Sequence, residues 1–156
     1  MRVITCVIGD EVECKWPELK MGRAGSVVDN VFSGGIKVGI HIEDGKTFGL
    51  GLDGLGKNYT IHPDTKKPLR DFQIPQWTDL LKMLKSMAML CKECHIIGWD
   101  MALTKDGWVV VEANYGPGIG YQDVSPDGFY EDFLDVRKKL HAGKYNGYKW
   151  KNQFRP

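Results

Sequence analysis

The chain has 156 residues, 42% of them hydrophobic and 26% charged, with a formal net charge of +1. That length suits one domain with a real core, and the balance excludes wholesale disorder. Near-neutral charge gives no electrostatic argument for nucleic acid or an anionic membrane, and no apolar run reaches the roughly 20 residues that span a bilayer.

Residues Arg2 to Ile8 and Glu11 to Trp16 alternate as a strand hairpin around Gly9-Asp10. This start lacks a signal-peptide core and cleavage site, so the expected compartment is the cytoplasm, with no membrane span and no nucleic-acid partner. "PELKMGRAG" reads as a polar loop, and "SVVDNVFSGG" runs strand-like into a glycine pair. "IKVGIHI" places Ile36, Val38, Ile40 and Ile42 on one face, and Asp44-Gly45 turns the chain into "KTFGLGLD". Glycines and prolines from Gly51 to Ile74 predict a long ordered loop. A helix follows over about Gln76 to Glu93, with Trp77, Leu80, Leu81, Leu84, Met87, Ala88 and Cys91 at helical spacing. After the strand pair around Lys105-Asp106-Gly107 comes a second helix, roughly Pro126 to Ala142, carrying Phe129, Phe133, Val136 and Leu140 as its stripe. Residues 143–156 form a basic, aromatic tail outside the domain 1–142. The order predicts an α+β domain, an antiparallel sheet covered by helices.

Three motifs are decoys by context. "CKECH", Cys91 to His95, matches haem attachment and half a zinc ribbon, but no export signal and no second Cys-x-x-C accompany it. Cys6 and Cys14 are too far apart to supply one, and four cysteines make no secreted disulfide scaffold at this length. "GLGLDGLGKN" satisfies both the dinucleotide fingerprint and, with Asn58 in place of Ser or Thr, a P-loop. Each needs a helix next, and "NYTIHPDTKKP" cannot supply one. His62 and Asp64 in "HPDT" read first as an Asx-type turn around Pro63.

The informative stretch is "GWDMALTKDGWVVVEANYGPG", Gly98 to Gly118. Glu112 and Asn114 share a strand face, being two apart. A three-residue loop, Lys105-Asp106-Gly107, pairs Thr104 with Trp108 and sets Asp100 directly across from Glu112. A two-residue Asp106-Gly107 turn sends Asp100 to the opposite face. In the first register two carboxylates repel side by side, and a divalent cation removes the conflict; oxygen ligands of this kind suit magnesium. In the alternative reading Asp100 caps a strand end and Asn114 begins the turn before Pro117.

That stretch resembles the closing motif of the ATP-grasp superfamily: an Asp on one strand, then Glu-x-Asn and Pro-Gly on the next. "MRVITCVIGDEVECKW" resembles its Arg-bearing strand pair and "VVDNVFSGGIKVGI" its Asn segment before a glycine pair. With "HPDT" and "IPQW" ahead of "IGWD", the resemblance narrows to the sugar-transfer-associated ATP-grasp family, over about Arg2 to Val124. It implies ATP with Mg2+, or Mn2+ in its place, held by Asp100, Glu112 and Asn114, Glu112 bridging two ions. It implies that Arg2 meets phosphate or acyl-phosphate and that Asn30, Gly34 and Gly35 line the reacting phosphate end. His62 and Asp64 would face the family's acceptor. The implied chemistry activates a small-molecule carboxylate as an acyl-phosphate for capture by a nucleophilic acceptor, in polysaccharide or sugar-transfer biosynthesis.

The lysines, phosphate-covering loop and adenine hinge of such a site precede the part seen here. The chain therefore reads as the C-terminal subdomain of an ATP-grasp fold, with little activity alone, completed by a missing N-terminal half or working as a homo-oligomer. A non-catalytic saccharide- or protein-binding module and a metal-dependent hydrolase are the alternative functions. A hydrolase usually wants a Lys or His base beside its carboxylates.

Overall fold

Alternation of apolar and polar residues makes strands of both ends of the sequence, and one sheet collects them. The computed structural model describes residues 1–24, 34–118 and 120–142. Strands β1 (Arg2–Ile8), β2 (Glu11–Met21), β3 (Ile36–Ile40), β4 (Thr47–Asp53), β5 (Asn58–Tyr59), β6 (Ile96–Thr104) and β7 (Gly107–Tyr115) form an antiparallel sheet in the order β5-β4-β3-β2-β1-β6-β7. Helix α1 (Trp77–Leu90) lies between β5 and β6 in sequence, and α2 (Tyr130–His141) closes the described chain after a 3-10 turn at Gly120–Asp123. No helix among the described residues is long and apolar enough to cross a membrane.

The strand period puts odd and even residues of β1 into different cores. Val3 and Val7 pack with Trp77, Leu80, Leu84 and Ala88 of α1 and with Ile97, Trp99 and Met101 of β6. On the opposite face Ile4 and Cys6 pack with Trp16 and with Val136 of α2. The Trp99 indole donates to Thr5 Oγ1 at 2.8 Å, which satisfies both polar groups under α1. The apolar cluster on the α2 face is the smaller of the two, and Arg2, Glu18 and Asp100 stand on the same face.

Several expectations need correcting. β2 continues through "PELKM" rather than becoming a loop there. It does so across a bulge: Ile4 pairs with Lys15 and Arg2 with Glu18, so Trp16 and Pro17 together face one residue of β1. Trp16 stands at φ +49°, and Pro17, which has no N–H to give a ladder, is tolerated at a bulge. The stretch from Gly51 to Ile74 contains the end of β4, the short β5 and a bridge between Ile61 and Pro68. Helix α2 begins at Tyr130, not near Pro126, because Gly128 at φ +65° interrupts the helical path. Cys91 is the exposed C-cap of α1 and not part of its buried stripe. "SVVDNVFSGG" up to Ser33 and the tail 143–156 lie outside the described residues.

Candidate functional site

One row of the sheet carries the site. Glu112 pairs with Asp100, Asp100 with Arg2, Arg2 with Glu18, Glu18 with Gly39 and Gly39 with Phe48. Cross-strand partners point the same way, so four charged residues follow one another on the α2 face. Lys20, two positions beyond Glu18, and Lys37, its partner on β3, join them, as does Asn114 two beyond Glu112.

Asp100 and Glu112 do lie opposite each other, but not by the loop the sequence suggested. Thr104 pairs with Gly107, so the turn holds two residues, Lys105 and Asp106. Thr104 Oγ1 accepts from the Asp106 N–H at 3.2 Å and donates to the Gly107 carbonyl at 2.9 Å, which favours this tighter closure. Continued without interruption, that register would set Val111 against Asp100 and turn Glu112 to the α1 face. A bulge at Val111, between the pairs Met101–Val110 and Asp100–Glu112, restores the alignment. Gly98 completes the local design: a Cβ there would stand 2.5 Å from Pro117 Cβ, so only glycine lets the Pro117-Gly118 return close over the strand pair.

Asp100 is held from three sides. Arg2 donates from Nε to Oδ1 at 3.0 Å and from Nη2 to Oδ2 at 2.6 Å, a two-pronged contact. Lys20 Nζ reaches Oδ1 at 3.2 Å and Asn114 Nδ2 reaches Oδ2 at 3.4 Å. Burial alone would raise this carboxyl's pKa; the Arg2 hydrogen bonds and the charges of Lys20 and Arg2 outweigh it and hold the group below the ordinary carboxylate value. Glu112 is exposed.

Glu18 behaves oppositely. It is 4% exposed, its Oε2 has no hydrogen-bond partner, and Lys20 Nζ is 4.0 Å from Oε1. Burial pushes its carboxyl up, against the pull of Lys20, Lys37 and Arg2. Lys37 donates to the Gly120 carbonyl at 2.8 Å and to Asp123 at 2.5 Å, which clasps the 3-10 turn onto the sheet. Glu18, Lys20 and Lys37 were not singled out from the sequence. Lys37 interrupts a buried apolar strand, which was a readable signal; Glu18 and Lys20 were hidden in a stretch read as loop.

Gly34, at φ +91°, and buried Gly35 lead into β3 at the same end of the sheet, and Asn30 lies outside the described residues. His62 and Asp64 work as a brace. The His62 ring is buried, its Nε2 lies 3.1 Å from the Gly22 carbonyl, and its Nδ1 accepts from the Asp64 and Thr65 N–H groups. Asp64 takes Arg23 Nε at 3.0 Å and the Ala24 N–H at 2.9 Å. Both side chains therefore fix residues 22–24, where the chain leaves β2. In the glycine-rich stretch, Asp53 accepts from Leu55, Lys57 and the Tyr59 hydroxyl, a capped turn between two strands.

Among the described residues no three His, Cys, Asp or Glu side chains converge as a metal cage. Asp100 and Glu112 are cross-strand partners, and the Asn114 amide lies 3.4 Å from the Asp100 carboxylate. That donor set fits a hard cation that keeps most of its coordination for water and phosphate oxygens, as magnesium does.

An antiparallel sheet that displays an Asp opposite a Glu-x-Asn, with an arginine on the next strand, is consistent with a fragment of an ATP-grasp domain. Residues 1–133 match the sequence model of the sugar-transfer associated ATP-grasp family, and the chain belongs to that family. No curated protein and no solved structure gives a significant match.

Proposed function

We propose that this chain forms the phosphate and metal end of an ATP-dependent, ligase-type site serving sugar-transfer biosynthesis, with residues 1–142 acting as the C-terminal subdomain. The observation that carries the proposal is the register that sets Asp100 against Glu112 with Asn114 one step along. Asp100, Glu112 and Asn114 would hold Mg2+, or Mn2+ in its place. When bound, the ion draws charge from the ATP phosphates, so that a substrate carboxylate is activated by phosphoryl transfer and captured by a nucleophile.

The protein's own residues supply position and charge. Arg2 keeps Asp100 ionised and oriented, and its guanidinium can meet a phosphate oxygen while still paired. Lys20 adds a second cation beside the same carboxylate. Gly34 and Gly35 would line the reacting end, where glycine backbone lets phosphate approach closely, and the family resemblance assigns Asn30, outside the described residues, to the same end. His62 and Asp64 serve by bracing residues 22–24 at the edge of that region.

Calorimetry with a non-hydrolysable ATP analogue and Mg2+ tests the assignment. Glu112→Ala should weaken magnesium-dependent binding at least about tenfold, roughly 1.4 kcal/mol. Equal heats from both proteins would remove Glu112 from the site.

A further inference from the structure

The charged row does not end at Glu18. Across Gly39 it reaches Phe48, whose ring lies over that glycine: a Cβ on Gly39 would fall 2.4 Å from the ring. Beside it opens a cavity of about 360 Å³, walled by Trp16, Phe48, His41 and Tyr121 and edged by Glu43 and Asp127. At the usual strand spacing of about 4.8 Å, a ligand against Phe48 lies within roughly 15 Å of Arg2 on the same face.

This cavity is braced from outside. The Trp16 indole donates to Asp132 at 2.8 Å and packs on Phe129 with ring centroids 5.2 Å apart. His41 stacks on Phe48 at 4.5 Å with a tilt of 34°. Lys15, the cation in the lining, is bound to Asp132 at 2.9 Å. Glu43 and Asp127 make no ion pair with another described residue, so the rim's uncompensated charge is negative.

These features select a ligand class. Aromatic side chains suit the C–H surface of a saturated ring as well as a cation, and the Ser125 hydroxyl, which donates to the Gly128 carbonyl at 2.7 Å, keeps its oxygen to accept from a ring hydroxyl. The volume sits near the lower end of the roughly 300–1,000 Å³ range of small-molecule pockets, room for one ring rather than a chain. Unpaired carboxylates repel nucleotides and acidic sugars and attract an amine. We propose that this pocket binds an amino sugar, a hydroxylated six-membered ring carrying an ammonium group. The binding claim does not depend on the ligase reading.

Saturation-transfer NMR on the full chain, without magnesium or nucleotide and in mildly acidic buffer, tests it with D-glucosamine, D-glucose and methylammonium as probes. D-glucosamine should bind at least about fivefold tighter than either of the others. Phe48→Ala should abolish transfer to both sugars. The double variant Glu43→Gln/Asp127→Asn, confined to exposed side chains, should bring D-glucosamine down to the level of D-glucose, and it carries the test if Phe48→Ala does not fold. Equal binding of the two sugars to the unaltered chain would overturn the proposal. So would methylammonium binding as well as D-glucosamine, or a double variant that keeps the preference. Since neither metal nor nucleotide is present, these outcomes leave the assignment of Asp100 and Glu112 to its own experiment.

Discussion

Asp100 is the residue on which the local electrostatics turn. It is the cross-strand partner of Glu112, and its carboxyl is held below the usual range because Arg2 and Lys20 outweigh burial. A carboxyl with a depressed native pKa contributes stability above its unfolded value of about 3.9 and loses that contribution as pH falls through the native value. Asp100→Asn should therefore destabilise the chain at pH 7 by about 1–2 kcal/mol, the scale of hydrogen bonds to charged groups. The gap between variant and parent should hold down to about pH 4 and close below it. Urea titrations at neutral and acid pH measure this; a gap that persists unchanged in acid would show that the aspartate acts by shape and not by charge. Glu18 lies on the other side of the balance: a buried acid with an oxygen unpartnered is a cost to the fold, and such costs cluster at functional surfaces.

At the scale of elements, two bulges do the positioning. The one at Trp16-Pro17 brings Glu18 opposite Arg2, and the one at Val111 brings Glu112 opposite Asp100. Sequence patterning located the β6–β7 hairpin and put the two acids across from each other, but through a turn one residue too long. The reason is physical: a bulge residue has the composition of any strand residue, and Val111 sits in a run of three valines that offers no mark of where pairing skips. The same blindness hid the continuation of β2, since proline argues against a strand unless a bulge absorbs its missing donor. Val111 is 68% exposed, as an unpaired residue on an edge strand can be. Deleting it removes the extra residue and should leave Glu112 opposite Asp100, with cross-strand NOEs between them retained. Loss of those contacts would mean that the bulge sets more than the count.

The whole molecule is a sheet with unequal faces. The α1 face buries a long list of large side chains, whereas the buried cluster under α2 is smaller, comprising among the described residues Ile4, Cys6, Trp16 and Val136. Local stability follows buried apolar contact, so α2 amides should exchange with solvent well ahead of those in α1, by about tenfold or more in rate. Hydrogen exchange checks this, and equal protection in the two helices would contradict it. The part of the α2 face outside that cluster carries the charged row and the aromatic pocket beside it. The helices and the family resemblance were legible in periodicity and motif. Arg2, Asp100, Glu112 and Asn114 were legible the same way, through the motif; Glu18, Lys20 and Lys37 were not, because only long-range pairing such as Arg2–Asp100, 98 positions apart, and Lys37–Asp123, 86 apart, gathers these charges.

The proposed metal position in this row is at Asp100, Glu112 and Asn114. Paramagnetic broadening by Mn2+, with a non-hydrolysable ATP analogue present, tests it most directly by NMR. Signals of residues 100, 112 and 114 should be lost first, with Arg2 and Lys20 close behind. Broadening centred instead on Glu43, Asp44 and Asp79, the acidic groups around the start of α1, would contradict it.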